Sequence, residues 1–325
     1  MLHYALGDWL VRTLTLASRR FFDEPPANFG DEPLGRPMAV LVHARDEECA
    51  KLDELASDLA PFANLERLDA GGVHALCPLL NDDAQHGIAD LHGLRLDPHA
   101  LLQGFLRQLR ADGGDLRTGT RIVAIERREG WEVVTESGGT FHAPIVINAA
   151  GAWGDDIARL AGIGPLGLRP KRRTIITFGA PPGISLSQLP FTKTVGDELY
   201  FAPESRRLFA SPMDEVATDP CDAQPDDYEV ALAAYRMEER TVVKVDRIHS
   251  KWAGLRTFTP DRHPACGFSE EAEGFFWLVG QGGFGLQTSP AMAGIVSSLI
   301  EDTPWPVAGV TPADLSPARF RGQVA

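Results

Sequence analysis

Apolar residues recur at helical spacing in the opening stretch ALGDWLVRTLTLASRRFF, where Leu6, Leu10, Leu14, Ala17 and Phe21 share one face. The pattern predicts a helix starting almost at residue 1, with no strand before it and Pro25-Pro26 as its stop. Arg36–His43 reads as a strand. Asp46–Ala60 reads as a polar helix with Leu52, Leu55 and Leu59 inward, and Leu65–Asp69 leads into a short helix ending at Pro78. Asp97-Pro98 caps a further helix through LLQGFLRQLRADGG, with proline at its first position. RIVAIERREGWEVVTESGGTFHAPIVIN then reads as strands joined by tight turns, ending in an apolar run, Ile145–Asn148. That run lacks alternation, as expected of a strand covered on both faces. Lys171–Phe209 reads as short strands between Gly/Pro turns, Tyr228–Glu239 as a helix, and the region around Val242–Ile248 as a strand. FFWLVG reads as a strand, Pro290 to about Ile300 as the last helix, and the Pro-rich remainder as a tail.

Composition narrows the partners. The chain has 325 residues, 44% apolar and 23% charged, within the range of an ordinary globular protein. A formal charge of −14 disfavours nucleic acid or an anionic membrane as the main partner. The one dense basic run, Lys171-Arg172-Arg173, is too short to reverse this. Cys49, Cys77, Cys221 and Cys266 stand far apart, so neither a disulfide framework nor a zinc site is expected. With no signal-like start and no apolar run of membrane length, the expectation is a cytoplasmic, soluble protein without metal.

Two glycine-rich stretches carry the candidate chemistry. In VGQGGFGLQTSP, Gly280, Gly282 and Gly285 spell G-x-G-x-x-G between a strand and a helix. A dinucleotide unit also needs a second parallel strand and an acid about 20 residues further on. Here Glu301-Asp302-Thr303-Pro304-Trp305-Pro306 follows instead. The loop reads as a tight strand-to-helix turn or, fitting better, as a place where backbone N–H groups at a helix N-terminus meet a flat or anionic ligand such as a flavin edge. In VINAAGAWGDDIARLAG, small residues follow a strand end and permit close approach of a cofactor. Asp155 and Asp156 read as acids capping the helix that Trp153 opens.

NAAGAW, WAGLRTFTPDRHP and EGFFWLVGQGGFGLQTSPAMAG together resemble the FAD-dependent amine oxidoreductases related to D-amino-acid oxidase, glycine oxidase and sarcosine oxidase. PLGLRPKRRT and LTLASRRFFDEPPANF are similar, more narrowly, to the D-arginine dehydrogenase branch. The resemblance covers nearly the whole chain. It implies an α/β fold in which residues 1–35, 93–165 and 250–325 form a discontinuous Rossmann-like FAD-binding domain. Residues 36–92 and 166–249 would form an antiparallel-sheet substrate-binding domain. The family's own first strand, glycine turn and helix, roughly 45 residues that hold the ADP moiety, would precede Met1.

The resemblance also implies roles. Gly282, Gly283, Phe284, Gly285, Leu286, Gln287 and Thr288 would lie beside the flavin and its ribityl chain. Ala149, Ala150, Gly151 and Trp153 would line the cofactor path, and Val123 would touch the adenine end. Arg256 and Tyr200 would take the substrate carboxylate with Arg173 nearby, although Arg173 also reads as a solvated strand charge. His249 and His263 read as structural. Met38 falls where the arginine-specific branch has an acid, and an aromatic of the lid falls near Leu6, which implies an apolar rather than a cationic substrate. The implied function is FAD-dependent oxidation of a D-amino acid or related amine, with the electron acceptor open. The alternatives are a non-catalytic or partner-dependent relative that binds FAD poorly, and a nicotinamide-dependent dehydrogenase.

Overall fold

The computed structural model describes residues 1–322. Its largest feature is a nine-stranded sheet built from Val40–Ala44, Leu65–Asp69, His86–Asp90 and six strands between Arg169 and Phe258. All neighbours in it are antiparallel except Phe191–Thr194, which runs parallel to Val40–Ala44. A three-stranded sheet carries Ala265–Phe268, Phe275–Val279 and Val146–Asn148, and a separate meander carries Ile122–Arg128, Gly130–Thr135 and Thr140–Ala143.

Helices pack these sheets. Trp9–Asp23 starts where the Asp8 carboxylate accepts from Leu10 N and Val11 N, later than the periodicity predicts. The residues before it form an isolated bridge, Leu2 with Leu94, rather than helix. Pro98–Ala111 begins at the predicted Asp97 cap. The last long helix runs Gly285–Glu301, five residues earlier than the proline signal predicts, with Pro290 inside it.

Five further expectations are corrected. Arg36–His43 is two strands, Gly35–Pro37 and Val40–Ala44, on different sheets. The basic run opens one long strand, Arg169–Gly179, paired along its length with Ile248–Phe258. The strand expected at Val242–Ile248 therefore begins only at Ile248, and WAGLRTF belongs to it. Val146–Asn148 is not covered on both faces: it pairs with Phe275–Val279 at the sheet edge, and Ile147 is 44% exposed. The C-terminal segment is no loose tail. Val307, Val310, Leu315 and Phe320 are buried against the sheets and helices, while residues 323–325 of that expectation lie outside the described residues. None of the described helices is long and apolar enough to cross a membrane.

Candidate active site

Strand periodicity divides the basic run. Successive side chains of a strand point to opposite faces, so Lys171 and Arg173 share a face while Arg172 takes the other. Arg172 pairs with Glu229 of the helix Asp227–Arg240, Nη2 to Oε2 2.9 Å. Lys171 stands opposite Arg256 on the neighbouring strand, and Arg173 opposite Gly254. Directly opposed and diagonal residues of an antiparallel pair lie on one face, so Arg173 and Arg256 come together without being adjacent in sequence.

They line one cavity of about 510 Å³. Arg256 is half-buried, and its Nη2 donates to the Tyr200 hydroxyl at 3.3 Å. Tyr200 and Arg173 are each 6% exposed. Arg173 Nε donates to the Asp214 carbonyl at 2.7 Å, while its Nη1 is buried without a hydrogen bond among the described residues. Burial first, and the positive field of Arg256 second, hold the Arg173 guanidinium below its ordinary pKa. Arg173 is thus no solvated strand charge. The three residues predicted to act on substrate form one group.

The carboxylates of this cavity already have partners of their own. Asp8 Oδ2 lies 2.6 Å from His263 Nε2, Asp197 pairs with Lys193, and Asp261 lies 2.7 Å from Arg319 Nε. Glu215 binds Lys171 and Arg262. Among the described residues Arg256 has no carboxylate partner. Its guanidinium faces Gly283, where a Cβ would come within 2.8 Å of Nη1. Leu6, Val11, Met213, Phe258 and Phe284 supply the apolar wall. Met38 is absent from that lining and packs instead against the cluster of Tyr4 and Val40.

A second open groove, about 410 Å³, lies on the other side of the glycine loop. Ala149, Ala150, Gly151, Trp153, Gly254 and Gly280–Gly282 line it together. Gly151 and Gly254 border open space, with nothing within 4 Å of where a Cβ would sit. Both amide atoms of Gln281 are buried without a partner among the described residues. The helix beginning at Gly285 directly follows this loop and has no side-chain cap among the described residues, which leaves its first N–H groups without an intrahelical acceptor. A flat cofactor with polar edges fits this combination of backbone donors, missing side chains and an apolar floor.

Not every predicted contact lies there. Val123 sits at the irregularity of the meander hairpin, 41% exposed, and does not line the groove. Leu286 packs against a core cluster, Gln287 Nε2 donates to Thr15 Oγ1 at 2.8 Å, and the Thr288 hydroxyl donates to the Phe284 carbonyl. Those three side chains hold the helix in place. Asp155 does not cap its helix, contrary to expectation, but ties down the following loop: its carboxylate accepts from Leu166 N and Leu168 N at 2.9 and 2.8 Å. Glu215, Arg262 and Asp197 escaped the sequence reading, since isolated charged residues in loops carry no periodic signal. No group of three or more His, Cys, Asp or Glu side chains among the described residues could hold a metal ion.

Residues 1–299 match the protein family described as FAD dependent oxidoreductase, DAO. The chain belongs to that family. Its cofactor is FAD, and its mixed α/β fold is that of solved relatives. L-proline dehydrogenase from P. horikoshii superposes with a TM-score of 0.83 at 18% identity, covering 98% of this chain and 85% of that one. Glycine oxidase from Geobacillus kaustophilus gives 0.79 at 20% identity, with the same coverages of 98% and 85%. In sequence, the chain is 24% identical over 290 residues to the hydrogen cyanide synthase subunit HcnC of Pseudomonas aeruginosa. That match covers 86% of this chain and 66% of the relative. The Pseudomonas protegens HcnC is 25% identical over 252 residues, 75% of this chain and 58% of its own. The chain thus spans about two thirds or less of the length of these two relatives.

Proposed function

We propose that the chain oxidises a D-amino acid, or a related primary or secondary amine bearing one carboxylate, to the imino acid, which water then hydrolyses. The observation that carries this reading is Arg256: a half-buried cation with a hydroxyl partner and no carboxylate, at the glycine loop between cavity and groove. A guanidinium grips a carboxylate through two parallel N–H bonds. Tyr200 steadies the guanidinium and can itself donate to the same group. Held there, the substrate's Cα and nitrogen are fixed in place, and such positioning supplies much of a rate enhancement. FAD, when bound, supplies the hydride acceptor at its flavin ring. The groove's Gly151, Gly282 and Gln281 and the N–H groups at Gly285 would hold it.

The apolar wall favours an apolar side chain over a cationic one, and the names of the similar structures support an amino-acid substrate. The narrower likeness to D-arginine dehydrogenases rests on the two quoted segments alone. The test is a panel of D- and L-amino acids and N-methylated amines with the FAD-loaded chain, followed as bleaching of flavin absorbance without oxygen. Apolar monocarboxylate amines should reduce the flavin, and Arg256→Ala should raise KM roughly 10- to 100-fold, the worth of a charge-assisted hydrogen-bonded pair. D-arginine as the best substrate would sink the specificity; an unchanged KM in Arg256→Ala would sink the site.

A further inference from the structure

Glu215 lies in the loop between the strands Arg207–Ser211 and Val216–Ala217 and has no counterpart in any motif of the sequence. Its two oxygens receive Lys171 Nζ at 2.8 Å and both terminal nitrogens of Arg262, at 3.0 and 2.8 Å. Arg173 Nη2 stands 3.6 Å away. One carboxylate therefore sits among three cations contributed by one strand, Arg169–Gly179, and a turn. Burial by itself would raise this carboxyl, yet the hydrogen bonds from Arg262 and Lys171 hold it down to about 2, so it stays charged throughout the neutral range. Arg262 is further pinned by stacking on Phe258, 4.0 Å from the ring centroid.

The consequence is electrostatic. Arg173, Arg256 and Arg262 all line the same cavity. With Glu215 ionised, Arg262 is bonded to it at both oxygens and Arg173 lies 3.6 Å from it, which leaves Arg256 as the one arginine of the cavity without a carboxylate partner among the described residues. Without that charge, the buried, under-bonded Arg173 and the forked Arg262 would present a second site for an anion.

We propose that Glu215 is the specificity determinant that limits the cavity to substrates with a single carboxylate, excluding amino dicarboxylates. This rests on the reading of Arg256 as the carboxylate anchor. A second carboxylate entering the native cavity would meet Glu215 at close range, where like charges near a protein surface repel strongly. Replacing Glu215 by glutamine keeps the shape and removes the repulsion.

Isothermal titration of the FAD-loaded protein with two unreactive probes, propionate and succinate, tests it. Wild type should prefer propionate. Glu215→Gln should shift the ratio of affinities toward succinate by roughly tenfold or more, an effect that shrinks with added salt. Glu215→Asp should restore the native ratio. A folded Glu215→Gln protein, by circular dichroism, with the native ratio overturns the proposal. If that variant fails to fold, Lys171→Gln serves: by leaving Glu215 less neutralised it should weaken both probes, succinate more, and unchanged affinities overturn the proposal. Equal propionate binding by wild type and Arg256→Ala would remove the anchor reading and this inference with it, whereas a lost anchor effect is distinguishable from an unmoved Glu215→Gln ratio.

Discussion

Gly282 adopts a φ of 56°, and a Cβ there would lie 2.6 Å from the Phe258 ring edge. Two costs combine at that position: the left-handed conformation, about 1 to 2 kcal/mol for a residue with a Cβ, and a collision with a ring that Arg262 holds in place. Gly282 also donates its N–H to the Thr257 carbonyl at 2.9 Å, which ties the glycine loop to the strand carrying Arg256. Gly282→Ala should therefore lower both the melting temperature and the flavin retained through gel filtration. Retention and stability equal to wild type would show the loop to be looser than its contacts imply. The glycine spelling made this loop visible from sequence. The neighbour that makes glycine necessary, Phe258, was not visible, because it lies 24 positions away on another strand.

At the scale of elements, the final helix shows how tertiary context moves a boundary. Proline normally opens a helix, because it lacks the N–H that an interior position requires. Pro290 nonetheless lies inside Gly285–Glu301, and the carbonyl it leaves without a backbone donor is that of Leu286. The Ser289 hydroxyl donates to that oxygen at 3.1 Å, and so mends the gap. Ser289→Ala should cost about 1 kcal/mol, the usual worth of one hydrogen bond to a partly buried carbonyl, read as a lower urea midpoint with an unchanged slope. The early start places the uncapped N–H groups at Gly285, directly after the glycine loop, rather than at Pro290. The edge strand Val146–Asn148 teaches a related lesson. Its apolar run reads as doubly covered, but a run of apolar residues records no information on whether a neighbouring strand is present, and Ile147 stands open.

For the whole molecule, the most consequential buried groups lie away from the cavity. His3 is stacked on Phe191 and His43 lies within the large sheet; they are 5% and 1% exposed. Neither ring nitrogen of His43 has a hydrogen-bond partner among the described residues, nor does Nδ1 of His3. Burial first, and then nearby cations including Lys193, lower both rings from 6.5 to about 3. The unfolded chain thus binds more protons than the folded one between these values, and stability falls as pH drops from 6.5 toward 3. Above 6.5 the two rings cost nothing in protonation. Thermal melts across that range should show a progressive loss, and His43→Leu should flatten it. An equally steep pH dependence in His43→Leu would remove His43 from the explanation.

The sequence by itself determined the elements with strong local signals: the helix capped by Asp97, the meander of Ile122–Thr140, the turn at Gly280–Gly285, and the identity of Arg256, Tyr200 and Arg173 as the residues to watch. These rest on spacing, capping and motif spelling, which act over a few neighbouring residues or were carried by likeness to a family. Only the tertiary structure decided which of them meet. Strand pairing brought Arg173 beside Arg256, and a loop delivered Glu215 to the cations around them. Packing turned Gln287 and Thr288 inward and left Met38 outside the cavity lining. Those outcomes depend on contacts between positions tens of residues apart, and charge neutralisation in particular is a property of the assembled cavity rather than of any segment within it.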